Sequence, residues 1–155
     1  GNDAVNVDTT KNFPTSMYTF QSEPIKHYLT IGASTRYGKK SLAAGFSNYG
    51  QTKVDVFAPG FEIYNTVPQS DYKTLQGTSM AAPMVSGVAA LLKSYFPSLS
   101  MKEIKDIMLA SAKQYKGTMI PAPGTGTSVD FGTLSSTGGV IDIAAAVKMC
   151  QAKVK

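Results

Sequence analysis

Cysteine, histidine and arginine are nearly absent from this chain of 155 residues. The single cysteine, Cys150, excludes an internal disulfide framework and any cluster of thiolate metal ligands. The single histidine, His27, leaves few ways of building an acid–base centre from this chain alone. The longest apolar run, residues 85–92, is interrupted by Ser86 and Gly87 and is far shorter than the roughly 20 residues that span a bilayer. We therefore predict no disulfide scaffold and no membrane span.

The charge balance is basic but not concentrated. Lysine and arginine total 15 against 10 acidic residues, which gives a net charge of +5 and a pI of about 9.3. The lysines are spread along the chain, and aromatic residues do not alternate with them as they do in single-strand binding surfaces. We predict no nucleic-acid binding. A hydrophobic content of 43% supports one globular unit with its own core.

The main candidate for chemistry is a serine at the opening of an apolar helix. Residues 77–83 read G-T-S-M-A-A-P, and small and apolar residues continue to residue 92. The free N–H groups of a first helical turn, together with the helix dipole, favour negative charge nearby. Such a position suits an anionic tetrahedral intermediate. The alternative is that Thr78 or Ser79 only caps the helix.

Five segments, in chain order, resemble the subtilisin-like serine proteases (subtilases). Residues 77–83 resemble the nucleophile motif of that family, and the other four segments resemble motifs that are structural in the family. These are Y-L-T-I-G-A-S-T at 28–35, G-F-S-N-Y-G at 45–50, D-V-F-A-P-G at 55–60 and G-V-I-D-I-A-A-A-V at 139–147, where Asp142 replaces the usual asparagine.

The resemblance implies an α/β fold, with residues 1–155 forming the C-terminal portion of a three-layer subtilisin-like catalytic domain. Such a domain has a mainly parallel sheet flanked by helices on both faces, and an antiparallel hairpin before the nucleophile helix. The resemblance also implies a serine endopeptidase acting on polypeptides outside the cytoplasm, although residues 1–3 do not look like part of a signal peptide. It implies no cofactor and no metal ligand in this chain, and leaves open whether the complete domain binds calcium.

The same resemblance assigns roles to individual residues. Ser79 is the nucleophile and Asn2 the side-chain donor of the oxyanion hole. Asn12, Phe13 and Thr78 contact substrate. For Asn12 and Phe13, an ordinary turn before Pro14 is the alternative. Asn2 is the second residue of the chain, where fraying is expected.

Two members of the expected catalytic triad are missing. Serine needs a base and a group that orients the base, but no D-[ST]-G or H-G-[TS] word occurs. His27 precedes Tyr28 and follows Asn2, so we interpret it as a loop histidine and not as the base. We therefore expect the catalytic Asp and His in an N-terminal part absent from this chain, and an isolated chain without activity. The alternatives are a pseudoprotease or peptide-binding module with a subtilase fold, or an α/β domain of another function.

Local patterns predict the main elements. A helix over residues 79–96 should be buried on nearly all sides, with Gly87 explained by close packing. A hairpin should form from residues 61–67 and 72–76, and a capping box at Ser100 and Glu103 should open a helix ending near residue 112. Residues 117–139 read as a surface loop with a short strand at 128–134.

The predicted strand over residues 28–35 should lose its neighbour if the first half of the domain is missing. An unpaired strand edge invites pairing with another chain. We therefore predict that this edge binds the missing N-terminal half or a second copy of this chain.

Overall fold

The computed structural model describes residues 1–154, except the side chain of Lys39. The helices are α1 (Thr78–Tyr95), α2 (Met101–Ala110) and α3 (Ile143–Lys153). The strands are β1 (Ile31–Ser34), β2 (Val56–Pro59), β3 (Ile63–Val67), β4 (Asp71–Leu75), β5 (Lys113–Gln114), β6 (Met119–Pro121), β7 (Ser128–Asp130) and β8 (Gly139–Val140). Among residues 1–154, no helix is long and apolar enough to cross a membrane.

A four-stranded sheet with the order β1-β2-β8-β5 forms the centre of the molecule. β1 and β2 are parallel, with Ile31 opposite Val56 and Ser34 opposite Pro59. β8 continues the parallel sheet beside β2, and β5 closes it in the antiparallel direction. Both predicted parallel strands are confirmed in their central residues, which are small or apolar as expected for strands covered on both faces.

All three helices pack on one face of this sheet. Their buried side chains form a single cluster with Ala33 of β1 and Ala58 of β2. The cluster includes Ala81, Val85, Val88, Leu92, Ile104, Ile107, Met108, Ala146 and Cys150. The α/β architecture is confirmed, but the described residues place helices on one face only.

The opposite face is covered by loops and a second hairpin, which corrects the prediction for residues 117–139. β6 and β7 pair in the antiparallel direction within this segment. Ile120, Phe131 and Leu134 are buried with Phe57 of β2. Phe57 and Phe131 lie 5.0 Å apart between ring centroids. The segment is therefore one wall of a core and not a surface loop.

Helix α1 differs from its predicted burial. Ala81, Val85, Val88 and Leu92 form one buried stripe, whereas Met84, Leu91 and Tyr95 on other sides are exposed. A Cβ placed on Gly87 would meet no atom within 4 Å, so close packing does not explain this glycine in the described structure. Both differences arise because, among the described residues, α1 packs against neighbours on one side only.

Local signals set the ends of the other two helices. Ser100 and Glu103 form the predicted capping box at the start of α2. Asp142 caps α3 by accepting a hydrogen bond from the Ala145 N–H at 2.9 Å. A carboxylate at this position therefore does what the asparagine usual in the family could also do.

The predicted hairpin before the nucleophile motif is confirmed. β3 and β4 are antiparallel, and Tyr64 and Tyr72 stack across them with ring centroids 5.5 Å apart. β4 ends at Leu75, two residues before Gly77. The hairpin thus delivers the chain directly to the start of α1.

The outer edge of β1 is partly covered. Ala33 O accepts a hydrogen bond from the Ala44 N–H at 2.9 Å, and the Ala33 N–H donates to Ser47 Oγ at 2.9 Å. Thr35 donates its N–H to Leu42 O at 2.9 Å. Only the first part of the strand, around Ile31, therefore lacks such partners among the described residues.

Candidate active site at the start of helix α1

Helix α1 begins where the two parallel strands end. Gly60 follows β2 and donates its N–H to Ser34 O of β1 at 3.0 Å, and Gly77 donates its N–H to Gly60 O at 2.8 Å. A Cβ on Gly60 would lie 2.8 Å from Ala33 Cβ and from Gly77 O. Only glycine permits this approach, so the strand ends fix the position of the first turn.

Gly77 turns the chain into the helix. Its φ of +149° lies in the region that L side chains rarely adopt. Its carbonyl accepts the Met80 N–H at 3.0 Å and so opens the helix. A Cβ here would lie 3.2 Å from Asn2 Nδ2 and 3.7 Å from Ser79 N. These two nitrogens therefore lie on the same side of the Gly77 backbone.

The Asn2 side chain is fixed by Thr78. Its Oδ1 accepts the Thr78 backbone N–H at 2.9 Å and the Thr78 hydroxyl at 3.0 Å. A backbone N–H can only donate, so this contact identifies the oxygen end of the Asn2 amide. The Nδ2 donors are left for another acceptor beside Gly77. The Asn2 side-chain donor and the Ser79 backbone nitrogen thus both lie within 4 Å of the position that a Gly77 Cβ would occupy.

Ser79 is the second residue of α1 and is exposed. Among residues 1–154, its hydroxyl has no side-chain base within hydrogen-bond distance. His27 is also exposed, and it lines a groove with Ala82 and Ser86, later on α1, and not with Ser79. The interpretation of His27 as a loop histidine agrees with this position.

Residues 1–5 are held in place, contrary to the expectation of a frayed terminus. Gly1 O accepts the Asn48 N–H at 2.9 Å, and Asn48 Oδ1 accepts the N–H groups of Asp3 at 2.9 Å and Val5 at 3.2 Å. Ala4 donates its N–H to Phe46 O at 3.0 Å. The turn at residues 46–49 therefore fixes the segment that carries Asn2.

Residues 1–136 match the sequence profile of the subtilase family. The chain belongs to this family. The thermophilic serine proteinase of Bacillus sp. (strain AK1) is 36% identical over 125 residues, which are 81% of this chain and 28% of that protein. The extracellular basic protease of Dichelobacter nodosus is 35% identical over 132 residues, or 78% of this chain and 20% of that protein.

Solved subtilase structures confirm the fold. A chain of the subtilase cytotoxin SubAB superposes with a TM-score of 0.76 and 25% identity, over 99% of this chain and 48% of that one. The prenylagaramide maturation protease PagA superposes with a TM-score of 0.68 and 30% identity, over 96% of this chain and 47% of that one. This subtilase chain thus spans about half the length of these structures and less than a third of the two curated relatives.

Asn12 and Phe13, the two predicted substrate residues on the loop after the segment that carries Asn2, differ in their burial and contacts. Asn12 is half-buried, with its Oδ1 3.5 Å from Asn48 Nδ2. Phe13 is 80% exposed. Both line a cavity of about 510 Å³ that Ser79, Thr78 and Asn2 do not line. The structure brings Asn12, but not Phe13, next to the segment that holds Asn2.

Two charged side chains, Lys105 and Asp55, also line that cavity. Lys105 of α2 donates to Tyr28 O at 2.8 Å and to Lys26 O at 3.2 Å. Burial raises the pKa of the nearby Asp55 carboxyl, against the opposing effects of the Thr30 N–H and the Lys105 charge. Within the described chain, no three His, Cys, Asp or Glu side chains are grouped as a metal site requires.

Sequence reasoning missed two features of this subtilase site. The hydrogen bond from the Thr78 hydroxyl to Asn2 Oδ1 was not predicted, and a substrate contact of Thr78 stays a prediction. Asn48, interpreted only as part of a structural turn, contacts the segment that carries Asn2. Both links join residues more than 40 positions apart, for which the local pattern of the sequence gives no signal.

Proposed function

We propose that this chain is the C-terminal, nucleophile-bearing part of a subtilase catalytic domain that hydrolyses peptide bonds through an acyl-enzyme on Ser79. The observation that carries the proposal is the pair of hydrogen bonds from Thr78 to Asn2 Oδ1. These bonds leave Asn2 Nδ2 available as a donor. Asn2 Nδ2 and the Ser79 nitrogen both lie within 4 Å of the position that a Gly77 Cβ would occupy, at the N-terminus of an 18-residue helix. Two donors at a helix N-terminus suit a developing oxyanion.

In the proposed reaction, Ser79 Oγ attacks the carbonyl carbon of the scissile peptide bond, and its proton passes to a histidine. The carbonyl oxygen becomes an oxyanion that accepts hydrogen bonds from Asn2 Nδ2 and the Ser79 N–H. The C–N bond then breaks, and the histidine returns the proton to the leaving amine. Water hydrolyses the acyl-enzyme by the same steps and releases Ser79.

The histidine and the aspartate that orients it are proposed to come from the N-terminal part of the domain. This is supported by the absence of both catalytic words from the sequence and by the share of the related structures that the chain spans. A chain without these residues is expected to have little or no activity. The complete enzyme is expected to act on polypeptides outside the cytoplasm, with Asn12 and Phe13 among its substrate contacts.

The exposed side of α1 is the surface proposed to receive that N-terminal part. Met84, Leu91 and Tyr95 are exposed there, and the first part of β1 offers an incompletely paired edge beside it. Burying such apolar side chains is favourable by roughly 25 cal/mol per Å². In the absence of the N-terminal part, self-association through the same surface is expected.

The main alternative is a pseudoprotease that binds peptides without cleaving them. We propose to assay the complete domain on an unstructured polypeptide, with Ser79→Ala as the variant and Ser86→Ala as a matched control on the same helix. Cleavage by the native and Ser86→Ala proteins, abolished in Ser79→Ala, supports the endopeptidase. Peptide binding without cleavage in a folded native sample supports the pseudoprotease.

A further inference from the structure

The side chain of Asn48 is buried, with 3% of its surface exposed, in a turn that itself carries no proposed catalytic group. We infer that Asn48 is a positioning residue that holds the oxyanion donor Asn2 in place. This inference rests on the function proposed above, because it concerns how Asn2 meets the oxyanion. It adds a role for a residue more than 40 positions away from Asn2.

The contacts of Asn48 lie on both sides of Asn2. Its backbone N–H donates to Gly1 O at 2.9 Å, immediately before Asn2. Its Oδ1 accepts the Asp3 N–H at 2.9 Å, immediately after Asn2, and the Val5 N–H at 3.2 Å. The peptide groups that flank Asn2 are therefore both fixed by one residue.

The amide nitrogen of Asn48 extends the contact to two further side chains. Nδ2 lies 3.3 Å from Asp3 Oδ2 and 3.5 Å from Asn12 Oδ1. Both polar groups of the Asn48 side chain, Oδ1 and Nδ2, thus have partners in the segment that carries Asn2 or in the neighbouring Asn12. A buried amide with this many partners specifies one geometry, because removing it leaves several polar groups unpaired.

Asn48 is in turn held by the central sheet. Its carbonyl accepts the Ser47 hydroxyl at 2.9 Å, and Ser47 Oγ accepts the Ala33 N–H of β1 at 2.9 Å. Ser47 is fully buried. The position of the oxyanion donor is therefore tied through Asn48 to the strand whose end also fixes the start of α1.

The other hydrogen bonds of this segment act further from Asn2. Ala4 donates to Phe46 O, and Val5 O accepts the Tyr49 N–H. These backbone bonds survive substitution of the Asn48 side chain. The bond from the Asn48 backbone N–H to Gly1 O also survives. The substitution is therefore expected to release the Asp3 N–H and loosen Asn2 on its C-terminal side without unfolding the segment.

The test compares Asn48→Leu, of similar shape, with the native complete domain in peptide hydrolysis. We expect kcat to fall by tenfold or more, with KM changed less than threefold. Asn6→Leu is the matched control, since Asn6 Oδ1 also accepts a backbone N–H, from Asp8 at 2.9 Å, in the same segment but away from Asn2. The control should keep kcat within twofold.

A double variant separates positioning from general damage. In an Asn2→Ala background, Asn48→Leu should lower kcat by less than twofold, because the donor that it positions is already gone. An equal loss of kcat in both backgrounds, or no loss in either, would overturn the inference.

Exchanging the polar groups provides a rescue. Asn48→Asp alone places two carboxylates about 3.3 Å apart at Asp3, so kcat should fall. Combining it with Asp3→Asn restores an amide–carboxylate hydrogen bond and should recover most of kcat. Failure of the combined variant to recover any activity would contradict the proposed contact.

Amide hydrogen exchange at Asp3 tests the contact without any turnover. Asn48→Leu should accelerate exchange at Asp3 by tenfold or more, whereas Asn6→Leu should leave it unchanged. If the native domain does not cleave peptides, the proposed function fails, and unchanged exchange at Asp3 would separately overturn the role of Asn48.

Discussion

Replacing Thr78 with valine removes one of the two hydrogen bonds that fix Asn2. The backbone N–H of residue 78 still donates to Asn2 Oδ1 at 2.9 Å, but the hydroxyl contact at 3.0 Å is lost. Valine has nearly the same shape, so the packing of this half-buried side chain is retained. The Asn2 amide is then held by one hydrogen bond, from the backbone N–H of residue 78, and is less restricted in its orientation.

The expected loss of kcat follows from the single hydrogen bond that is removed. One net intramolecular hydrogen bond contributes about 0.5–1.5 kcal/mol. If all of it is lost from the transition state, kcat falls by about 2- to 13-fold, since about 1.4 kcal/mol corresponds to a factor of ten. Loss of an asparagine oxyanion donor in subtilisin costs about 10²–10³ in kcat, which is the upper limit for a change that only loosens Asn2.

Steady-state kinetics on a peptide substrate measure this effect in the complete domain. Thr74→Val is the control, because Thr74 is exposed on β4 and its hydroxyl has no hydrogen bond among the described residues. A loss that appears in kcat with KM unchanged supports positioning of Asn2. A raised KM with kcat unchanged would show that Thr78 does not position Asn2 and would favour its predicted substrate contact.

Three further variants test other parts of the account. Gly77→Ala should lower the free energy of unfolding by about 1–3 kcal/mol in urea denaturation and reduce kcat, because its φ is positive and its Cβ would approach Asn2 Nδ2 at 3.2 Å. Gly87→Ala should raise the free energy of unfolding of this chain by about 0.5–1 kcal/mol, and the gain should disappear in the complete domain if that side of α1 is covered. Burial of Asp8 acts to raise its pKa, but hydrogen bonds from Thr52 and from neighbouring backbone N–H groups outweigh it and lower the pKa. The carboxylate therefore contributes stability above its ordinary pKa of 3.8, and this stability is lost as the pH falls. Asp8→Asn should reduce this loss of the free energy of unfolding at acid pH, as measured by urea denaturation.

Elements with local signals were predictable from the sequence. The capping box at Ser100 and Glu103 and the proline at position 97 set the neighbouring ends of α1 and α2 within a residue or two. The turn at residues 68–71 similarly predicted the hairpin. In these cases the residues that determine the structure lie within four positions of one another.

Burial was less predictable, because it depends on neighbours distant in the chain. The apolar composition of α1 predicted burial on nearly all sides, but the described residues supply a wall only to the stripe of Val85 and Leu92. Conversely, the glycines and prolines of residues 117–139 concealed Ile120 and Phe131, whose irregular spacing follows neither helical nor strand periodicity.

The site shows the same division. The position of Ser79 at a helix start follows from its motif, and its role as nucleophile stays a prediction. The bonds from Thr78 and Asn48 to the segment around Asn2 span 43 to 76 positions, and only the folded chain places these residues together. The resemblance to the family identified Asn2 as a candidate oxyanion donor, but it did not identify Thr78 and Asn48 as the residues that hold it.

Covalent labelling by a fluorophosphonate reports whether Ser79 acts as the nucleophile. In the complete domain, peptide mass mapping should find the label on Ser79, and Ser79→Ala should abolish it while Ser86→Ala retains it. The chain of 155 residues alone should label at a far lower rate if, as proposed, the base belongs to the N-terminal part of the domain. A folded, complete domain that contains its aspartate and histidine but remains unlabelled at Ser79 would contradict the account.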